Sequence, residues 1–309
     1  RRDVETDGRR AVVAFTEEWA EDAERRDFRL NAIYAAADGN LHEVVPNSVQ
    51  DAIDGRVIFI GDADQRLRED YLRILRFFRF NAWYGAGMDA DGLSACERQK
   101  DGLAKIASER IWKELKRLME APDPSEAMLA MEETGVLEAV LPGASASELP
   151  SLVSVEQGAS LTPDPLQRLM AMMTRRARDV AAVTSHLRLS NAEAQRLTGW
   201  ADPALSHVLG AQPDALRRLF YRFGTRTVLD RALIEAAQIS GTEAYQALHT
   251  AASDWQKPDF PLGGADALAA GLSGPAVGET LRALEEDWIA SDFSLSRSVL
   301  LARLSSQTG

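Results

Sequence analysis

The stretch from Asp62 to Phe80, DADQRLREDYLRILRFFRF, constrains the folding of this chain more than any other. Apolar residues recur along it at the α-helical period, which predicts an amphipathic helix with one buried face. They are Leu67, Tyr71, Ile74, Leu75 and Phe78. The opposite face is charged, and its members are three or four residues apart, so they are neighbours on the helix surface. They are Glu69, Asp70, Arg73 and Arg76.

Two interpretations of this charged face are open. A carboxylate held between guanidinium groups on a rigid helix is a fixed set of donors and acceptors, which can read the edge of a nucleobase or clamp a phosphate. The alternative is an ordinary solvated face with ion pairs between neighbouring helix turns. The choice between them depends on the rest of the chain.

A second charged cluster, Arg25, Arg26 and Asp27, precedes an apolar segment that runs through Tyr34. Two arginines beside an aspartate can hold a phosphate, while the aspartate orients them or accepts from a ribose hydroxyl. Read by itself, such a triplet is equally typical of a helix end or a solvated turn. A phosphate site is therefore one of two open interpretations of this cluster.

The composition limits the possible partners. With 309 residues, 45% of them hydrophobic, the chain is long enough for two or three cores. A net charge of −12 argues against general nucleic-acid binding, so any RNA contact has to be local. No apolar run is long enough to span a membrane, and we expect no membrane partner. One cysteine, Cys96, fits a reducing cytoplasm, and four histidines without a CxxC pair argue against zinc.

Short runs rich in β-branched residues predict strands before the central stretch, at residues 11–15, 41–45 and 56–60. Asp7-Gly8 is a turn signal, and Thr16 is a candidate N-cap for a short acidic helix. Helical patterns follow residue 62. These observations predict an α+β fold that is mostly α-helical.

Further helices are predicted to begin near Ser108, Ser125, Pro165, Ser190, Ala215 and Leu295. The helix from Ser108 has a basic side, on which we expect RNA contacts from Arg110, Lys113 and Arg117. A second basic neighbourhood, residues 217–231, is more typical of a solvated helix surface. Residues 143–162 are rich in Ser, Ala, Gly and Pro, which predicts a linker or mobile loop.

Four segments, in order, resemble the class II tRNA nucleotidyltransferases (CCA-adding enzymes) and the related bacterial poly(A) polymerases. They are Asp7-Gly8-Arg9 ahead of a strand; Arg25-Arg26-Asp27-Phe28 with Asn31-Ala32, similar to motif B of the family; Glu69-Asp70 with Arg73, Arg76 and Arg79, similar to the nucleotide-selecting template; and Ser108-Glu109-Arg110-Ile111 with Glu114-Leu115. Together they span residues 1 to about 141. Four matches in sequence order favour the nucleotide interpretation of the charged face.

The resemblance implies a fold and a domain organisation. Residues 1–62 would be the remnant of a nucleotidyltransferase head sheet, and residues 63–142 a helical neck that carries the template helix. Residues 143–309 would form a helical body and tail that bind tRNA. The sequence leaves the oligomeric state open.

The resemblance also implies the roles of individual residues. Asp70 and Arg73 would pair with the Watson–Crick edge of cytosine or adenine, with Glu69 and Arg76 supporting this template. Arg25, Arg26 and Asp27 would meet the ribose and triphosphate of the incoming nucleotide. Arg79 would add a further basic contact. The implied substrates are ATP and CTP, and the implied partner is tRNA.

The family's catalytic motif is a Gly-Ser segment followed by Asp-x-Asp, which holds two Mg²⁺ ions and lies upstream of motif B. We therefore expect no catalytic or metal-binding residue in this chain, Mg²⁺ held mainly by an upstream segment, and no activity of this chain alone. Two Asp-x-Asp strings occur, at 62–64 and 89–91, and neither follows a Gly-Ser turn. Asp62 is instead expected to cap a helix and Asp89 to lie in a turn.

The function favoured by these patterns is template-independent addition of CCA to tRNA 3′ ends. A poly(A) polymerase of the same family is the alternative, since both activities read adenine with the same template. An alternative from another class is a non-catalytic RNA-binding protein derived from the family. The remaining alternative is a helical scaffold in which the motifs are incidental.

Overall fold

The computed structural model of the protein describes residues 2–6, 11–14 and 18–306, and the side chains from residue 18 onward. Two antiparallel strand pairs come first: β1 (Arg2–Thr6) with β2 (Ala11–Ala14), and β3 (Ile33–Ala35) with β4 (Leu41–Glu43). The β3–β4 register pairs Ile33 with Glu43 and Ala35 with Leu41. The turn predicted at Asp7-Gly8 and the cap predicted at Thr16 lie outside the described residues.

The rest of the described chain is helical, which confirms the mostly α-helical α+β fold. The first twelve helices are α1 Trp19–Glu24, α2 Ser48–Ile53, α3 Ala63–Glu69, α4 Leu72–Tyr84, α5 Ala90–Gln99, α6 Ser108–Met119, α7 Ser125–Glu133, α8 Val136–Val140, α9 Leu149–Gly158, α10 Pro165–Ala171, α11 Ala177–His186 and α12 Asn191–Trp200. The following helices are α13 Pro213–Phe223, α14 Thr225–Ile239, α15 Thr242–Asp254, α16 Gly264–Ala269, α17 Pro275–Ala290 and α18 Arg297–Ser306. Short 3₁₀ turns lie at Arg29–Asn31 and Lys100–Lys105.

The strand predicted over residues 56–60 is wrong. This segment makes only an isolated antiparallel bridge, between Phe59 and Phe28. The amide of Ile60 donates to the Asp27 carbonyl at 2.9 Å, and the amide of Arg29 donates to the Ile58 carbonyl at 2.9 Å. Beyond this point the partner segment bends into a 3₁₀ turn, so no ladder continues.

The central stretch forms two helices, α3 and α4, where the sequence predicts one. Asp70 separates them with an extended backbone, at φ −152° and ψ 104°. Its carboxylate accepts from the Leu72 amide at 3.1 Å, which satisfies one of the free N–H groups at the start of α4. Most of the predicted apolar stripe is fully buried, as Leu67, Ile74 and Phe78 show.

The chain divides into two compact units, Arg1–Thr198 and Gly199–Gly309. In the first unit, α4 packs against α6 and α7. In the second, Leu284, Trp288 and Leu300 are members of a buried cluster. The boundary at 198/199 differs from the boundary after residue 142 that the resemblance implies, and the division into head, neck, body and tail stays a prediction.

The linker predicted over residues 143–162 is also wrong, because α9 occupies half of it. Leu149, Leu152 and Val153 of this helix are buried, so its apolar residues stabilise the first unit despite the surrounding small residues. The helix predicted to begin near Ser190 is α12, and reciprocal hydrogen bonds between Ser190 and Glu193 form a capping box at its start. No helix of the described residues combines the length and the apolar character that a membrane crossing requires.

Candidate nucleotide-binding site

An open pocket of about 630 Å³ in the first unit brings the two charged segments together. Seven of the eight residues predicted to bind nucleotide line it: Arg25, Arg26, Asp27, Asp70, Arg73, Arg76 and Arg79. Asn31, Phe80 and Arg110 are also part of its wall. The eighth predicted residue, Glu69, is not part of the wall but forms an ion pair with Arg73, which is. Segments more than 40 residues apart in sequence therefore form one concave surface.

Asp27 connects the two segments. Its side chain is buried, and its carboxylate accepts from Arg76 Nε at 2.5 Å and from the Asn31 side-chain amide at 2.9 Å. Burial raises the pKa of Asp27. The hydrogen bond and charge of Arg76, together with the Asn31 amide, lower the pKa by a larger amount, so that it lies below its ordinary value. Asp27 is therefore ionised at neutral pH and fixes Arg76 on the pocket face of α4.

Arg25 and Arg26 are both held by Asp22, which lies one helical turn earlier on α1. Asp22 accepts from Arg25 Nε at 2.9 Å, from Arg26 Nη2 at 2.8 Å and from the Tyr34 hydroxyl at 2.9 Å. Burial raises the pKa of Asp22, and these hydrogen bonds lower it far below its ordinary value. The sequence interpretation missed Asp22, although its spacing of three and four residues from the two arginines signals the contact.

Arg73 is held on three sides by the protein. Its Nη1 donates to the Glu69 carboxylate at 2.6 Å and to the Arg66 carbonyl at 2.9 Å, and its Nη2 donates to the Arg25 carbonyl at 3.0 Å. A guanidinium has five N–H groups. Within the described residues, Nε–H and one Nη2–H of Arg73 have no hydrogen-bond acceptor, which leaves two N–H groups for a ligand.

Glu69 supports Arg73 and Arg66 together. Burial raises the pKa of the Glu69 carboxyl, but its hydrogen bonds with these two arginines lower the pKa by a larger amount, so that the pKa lies below its ordinary value. The carboxylate is thus ionised and orients Arg73 from outside the pocket wall.

Asp70 faces the pocket at the break between α3 and α4. Its Oδ2 accepts from Arg110 Nη2 at 3.0 Å, while Oδ1 holds the Leu72 amide. Arg110 of α6 was predicted to contact RNA, yet it lies in the wall of this pocket. Lys113 and Arg117 lie instead along a separate groove on α6 that also includes Trp112, so the structure divides the predicted RNA-binding trio.

Arg79 closes one end of the pocket. Its Nε lies 2.9 Å from Glu114 Oε2, and its guanidinium lies 4.7 Å from the centre of the Phe80 ring. Burial lowers the pKa of Arg79; the Glu114 carboxylate raises it, but the like charges of Arg76 and Arg117 lower it again, leaving it below its ordinary value.

Carboxylates in and around the pocket offset most of its positive charge. Six arginines line it, and all six pair with five carboxylates: Asp22, Asp27, Glu69, Asp70 and Glu114. These pairs fix the orientation of the guanidinium groups before any ligand binds. The pocket can therefore offer oriented N–H donors to a base edge or to phosphate oxygens with little reorganisation.

Three of the four carboxylates in the two Asp-x-Asp strings, those of Asp62, Asp64 and Asp89, have structural partners. Asp62 caps α3 by accepting from the Gln65 amide at 2.7 Å, which confirms the predicted cap. Asp89, predicted as a turn residue, is the N-cap of α5 and accepts from the Gly92 amide at 2.8 Å. Asp64 accepts from Arg98. The described residues include no group of three or more His, Cys, Asp or Glu side chains arranged to hold a metal ion.

The second basic neighbourhood, in the Gly199–Gly309 unit, is neutralised. Each of its arginines pairs with a carboxylate of the same unit. The pairs are Arg217 with Asp292, Arg218 with Asp214, Arg222 with Glu286, Arg226 with Asp230, and Arg231 with Glu235. This surface therefore offers little uncompensated charge to a phosphate backbone.

Comparisons with known proteins agree with the resemblance. Residues 88–147 match a family model described as "Probable RNA and SrmB- binding site of polymerase A". The mouse mitochondrial CCA tRNA nucleotidyltransferase 1 is 32% identical over 285 residues, which cover 88% of this chain and 63% of the mouse protein. The chain thus spans less than two thirds of that relative.

Two solved structures share the fold. The CCA-adding enzyme of Bacillus stearothermophilus, in complex with CTP, superimposes with a TM-score of 0.74 at 22% identity, covering 95% of this chain and 75% of that one. The Thermotoga maritima CCA-adding enzyme, in complex with tRNA, superimposes with a TM-score of 0.64 at 14% identity, covering 94% and 74%. The fold is thus that of solved CCA-adding enzymes, and the ordered motifs and the matched relatives support the assignment of this chain to the family of class II CCA-adding tRNA nucleotidyltransferases.

Proposed function

We propose that this chain acts in the template-independent addition of CCA to tRNA 3′ ends, with CTP and ATP as substrates. The observation that carries the proposal is the pocket in which the motif B segment and α4 meet. Its guanidinium groups are oriented by protein carboxylates, as recognition of a base without a nucleic-acid template requires. Relatives of known activity are CCA-adding enzymes, and solved relatives contain CTP or tRNA.

Base selection follows from the hydrogen-bonding pattern of Asp70 and Arg73. Cytosine and adenine both present an exocyclic amino group beside an unprotonated ring nitrogen. The Asp70 carboxylate accepts from the amino group, and the two uncommitted N–H groups of Arg73 donate to the ring nitrogen and, in cytosine, to the neighbouring carbonyl. Guanine and uracil present a carbonyl and a ring N–H in the corresponding positions, so an acceptor would face the Asp70 carboxylate and a donor would face Arg73.

Arg25, Arg26 and Arg76 hold the ribose and triphosphate in this proposal. Asp27 positions Arg76, and Asp22 positions the other two arginines, since its carboxylate contacts both. Arg79 adds a further positive charge at one end of the pocket. Mg²⁺, when bound, would supply charge neutralisation at the phosphates; the family resemblance assigns its ligands to residues ahead of motif B.

tRNA is the proposed partner, held by Lys113 and Arg117 of α6 and by Arg110 at the pocket. α6 lies within the segment that matches the family described as an RNA-binding site. A cytoplasmic location is part of the proposal, since the single cysteine suits a reducing compartment.

Poly(A) polymerase activity is the second candidate, because the matched family model is that of polymerase A. The two activities differ in the use of CTP. Binding of CTP as well as ATP favours CCA addition, whereas binding of ATP alone favours polyadenylation.

The proposal is tested by titrating ATP, CTP, GTP and UTP separately against the wild-type chain and an Asp70→Ala/Arg73→Ala variant. We expect ATP and CTP to bind the wild type selectively, and the variant to bind both more than about tenfold more weakly, since a good bidentate base contact contributes about 1–3 kcal/mol. Calorimetry measures both affinities.

The matched control removes an Asp–Arg pair with a spacing of four residues from α13, as Asp214→Ala/Arg218→Ala. This variant should retain wild-type nucleotide affinity. Equal binding of all four nucleotides, or unchanged binding by the Asp70/Arg73 variant, would contradict the assigned template role.

A further inference from the structure

Two exposed aromatic residues end α4, next to the pocket. Trp83 is 42% exposed and Tyr84 61% exposed, and their ring centres lie 6.5 Å apart at an interplanar angle of 40°. We call this pair the aromatic platform. Two large rings left in solvent at the end of a buried helix indicate a contact surface.

The aromatic platform continues the pocket face of α4. Tyr84 follows Arg73 by eleven residues, or three helical turns, so both lie on one face about 17 Å apart. Phe80 lies between them, belongs to the pocket wall, and has its ring centre 5.7 Å from that of Tyr84. The aromatic surface therefore begins inside the nucleotide pocket and ends outside it.

The platform is held in place by the surrounding backbone. Trp83 Nε1 donates to the Arg117 carbonyl at 2.7 Å, and the amide of Ala86 donates to the Gly55 carbonyl at 2.9 Å. Gly55 has a φ of +65°, and a Cβ at this position would lie 2.7 Å from the Tyr84 carbonyl oxygen. Only glycine allows the two backbones to approach this closely, which fixes the end of α4.

Uncompensated positive charge lies beside the platform. Lys113 and Arg117 are exposed, are four residues apart on α6, and make no ion pair with any described residue. Neighbouring cations of the same helix differ, since Arg110 pairs with Asp70 and Lys116 with Glu193. Arg117 lies close enough to Arg79 to lower the pKa of its guanidinium, which places this charge near the end of the pocket.

We infer that the aromatic platform stacks unpaired bases of an RNA strand whose 3′ end enters the pocket, while Lys113 and Arg117 contact its phosphates. Aromatic faces beside free cations are what single-stranded nucleic acids bind, because every base has a π-face and every linkage a negative charge. A protein partner would be expected to cover a larger apolar core with fewer free cations. The inference rests on the proposed function, because it assigns the pocket's second substrate.

The first test measures fluorescence anisotropy of a labelled single-stranded oligoribonucleotide, about eight nucleotides long, that ends in ACC. Stacking on an aromatic side chain strengthens binding roughly 5- to 150-fold per base. Trp83→Ala/Tyr84→Ala should therefore bind at least about tenfold more weakly than the wild type. Trp83→Phe/Tyr84→Phe keeps an aromatic ring at both positions and should bind nearly as well as the wild type.

A control removes another exposed apolar side chain, as Ile239→Ala, and should leave RNA affinity unchanged. The Trp83→Ala/Tyr84→Ala variant should keep the ATP and CTP affinities of the wild type, which shows that α4 is still folded.

A second test separates stacking from charge. Lys113→Ala/Arg117→Ala should reduce the magnitude of the slope of log affinity against log salt by about 0.7 for each phosphate that the variant no longer neutralises, because single-strand binding releases counterions. Trp83→Ala/Tyr84→Ala should weaken binding with an unchanged slope. The two parts of the surface thus have different signatures in one assay.

Unchanged RNA affinity after removal of both rings would overturn the inference. A Trp83→Ala/Tyr84→Ala variant that kept its RNA affinity but changed its sedimentation coefficient would also overturn the inference, because the rings would then form a contact between protein molecules. Failure of the proposed function would give a different result. The wild type would then bind all four nucleotides without selectivity, while Trp83→Ala/Tyr84→Ala would still bind RNA more weakly than the wild type.

Discussion

Asp27 is the residue on which the geometry of the pocket most depends, because it joins the motif B segment to α4 through Arg76. We expect Asp27→Asn to lower the free energy of unfolding by about 1–3 kcal/mol, since a charged hydrogen bond is removed and a partly buried guanidinium is left without its counter-ion. Weaker nucleotide binding should accompany this destabilisation, because Arg76 is no longer held. Urea unfolding and calorimetry measure the two effects.

The pH dependence of stability tests the same residue. The pKa of Asp27 is lowered in the folded state, so its stabilising contribution is fully present above the ordinary aspartate pKa, near 4, and disappears as pH falls through the lower folded-state pKa. The difference in unfolding free energy between wild type and Asp27→Asn should be constant above about pH 5 and shrink below about pH 4. A difference that grows on acidification would contradict this account.

Single residues also show what the sequence conveys and what it does not. Seven of the residues assigned to nucleotide binding line one pocket. The spacing within each motif is visible in the sequence, whereas the meeting of the two motifs depends on the fold. Asp22 was missed, although it holds two of these seven residues, since its role depends on where α1 ends. Arg110 was assigned to RNA, and only the packing of α6 beside Asp70 places it at the pocket.

At the scale of elements, one buried side chain holds the end of α6. Arg168 is 1% exposed; its Nη1 donates to the Met119 and Ala121 carbonyls, both at 2.5 Å, and its Nη2 to Glu156 at 2.7 Å. The last carbonyls of a helix lack partners within it, so this guanidinium caps α6 from another helix. Burial raises the pKa of Glu156 and the charge of Arg168 lowers it again, with the pKa remaining above its ordinary value.

We expect Arg168→Met to lower the free energy of unfolding by about 3–5 kcal/mol, because it leaves the Glu156 carboxylate buried without a counter-ion. The double variant Arg168→Met/Glu156→Leu should recover part of this stability, since no charge is then stranded. Urea unfolding of both variants measures the difference. A double variant less stable than the single one would contradict a stranded-charge origin.

Local pattern predicted most helices but not their interruptions. The sequence pattern predicts the amphipathic stripe from Leu67 to Phe78 but not the break at Asp70. The Asp70 carboxylate bonds the Leu72 amide and also Arg110 of α6, a partner that lies 40 residues away. Residues 143–162 show the converse. Their small residues predict a loop. The segment nevertheless contains the helix α9, because burial of Leu149 and Leu152 in the first unit stabilises it.

At the scale of the whole molecule, the proposed RNA binding by a chain of net charge −12 would depend on the few cations that the protein leaves uncompensated. The arginines of the basic neighbourhood in the second unit are paired, whereas Lys113 and Arg117 make no ion pair with a described residue. We therefore expect Arg217→Ala/Arg222→Ala to leave the salt dependence of tRNA affinity nearly unchanged. Anisotropy of labelled tRNA between about 50 and 200 mM salt measures the slope.

A lowered slope for Arg217→Ala/Arg222→Ala would mean that these arginines exchange their carboxylates for phosphates and would contradict the assignment of RNA contacts to α6. Unfolding curves of this variant control for the removal of the ion pairs with Asp292 and Glu286.

The sequence by itself determined the family resemblance, the mostly helical α+β fold and the identities of the charged residues that share one face, because periodicity and motif spacing are local properties. Only the tertiary structure decided that the motif B segment and α4 form one pocket, which carboxylates neutralise Arg76 and Arg110, and which cations stay free. The two pairs, Asp27 with Arg76 and Asp70 with Arg110, join residues that are 40 or more positions apart. Their formation depends on the packing of whole helices, which no local pattern records.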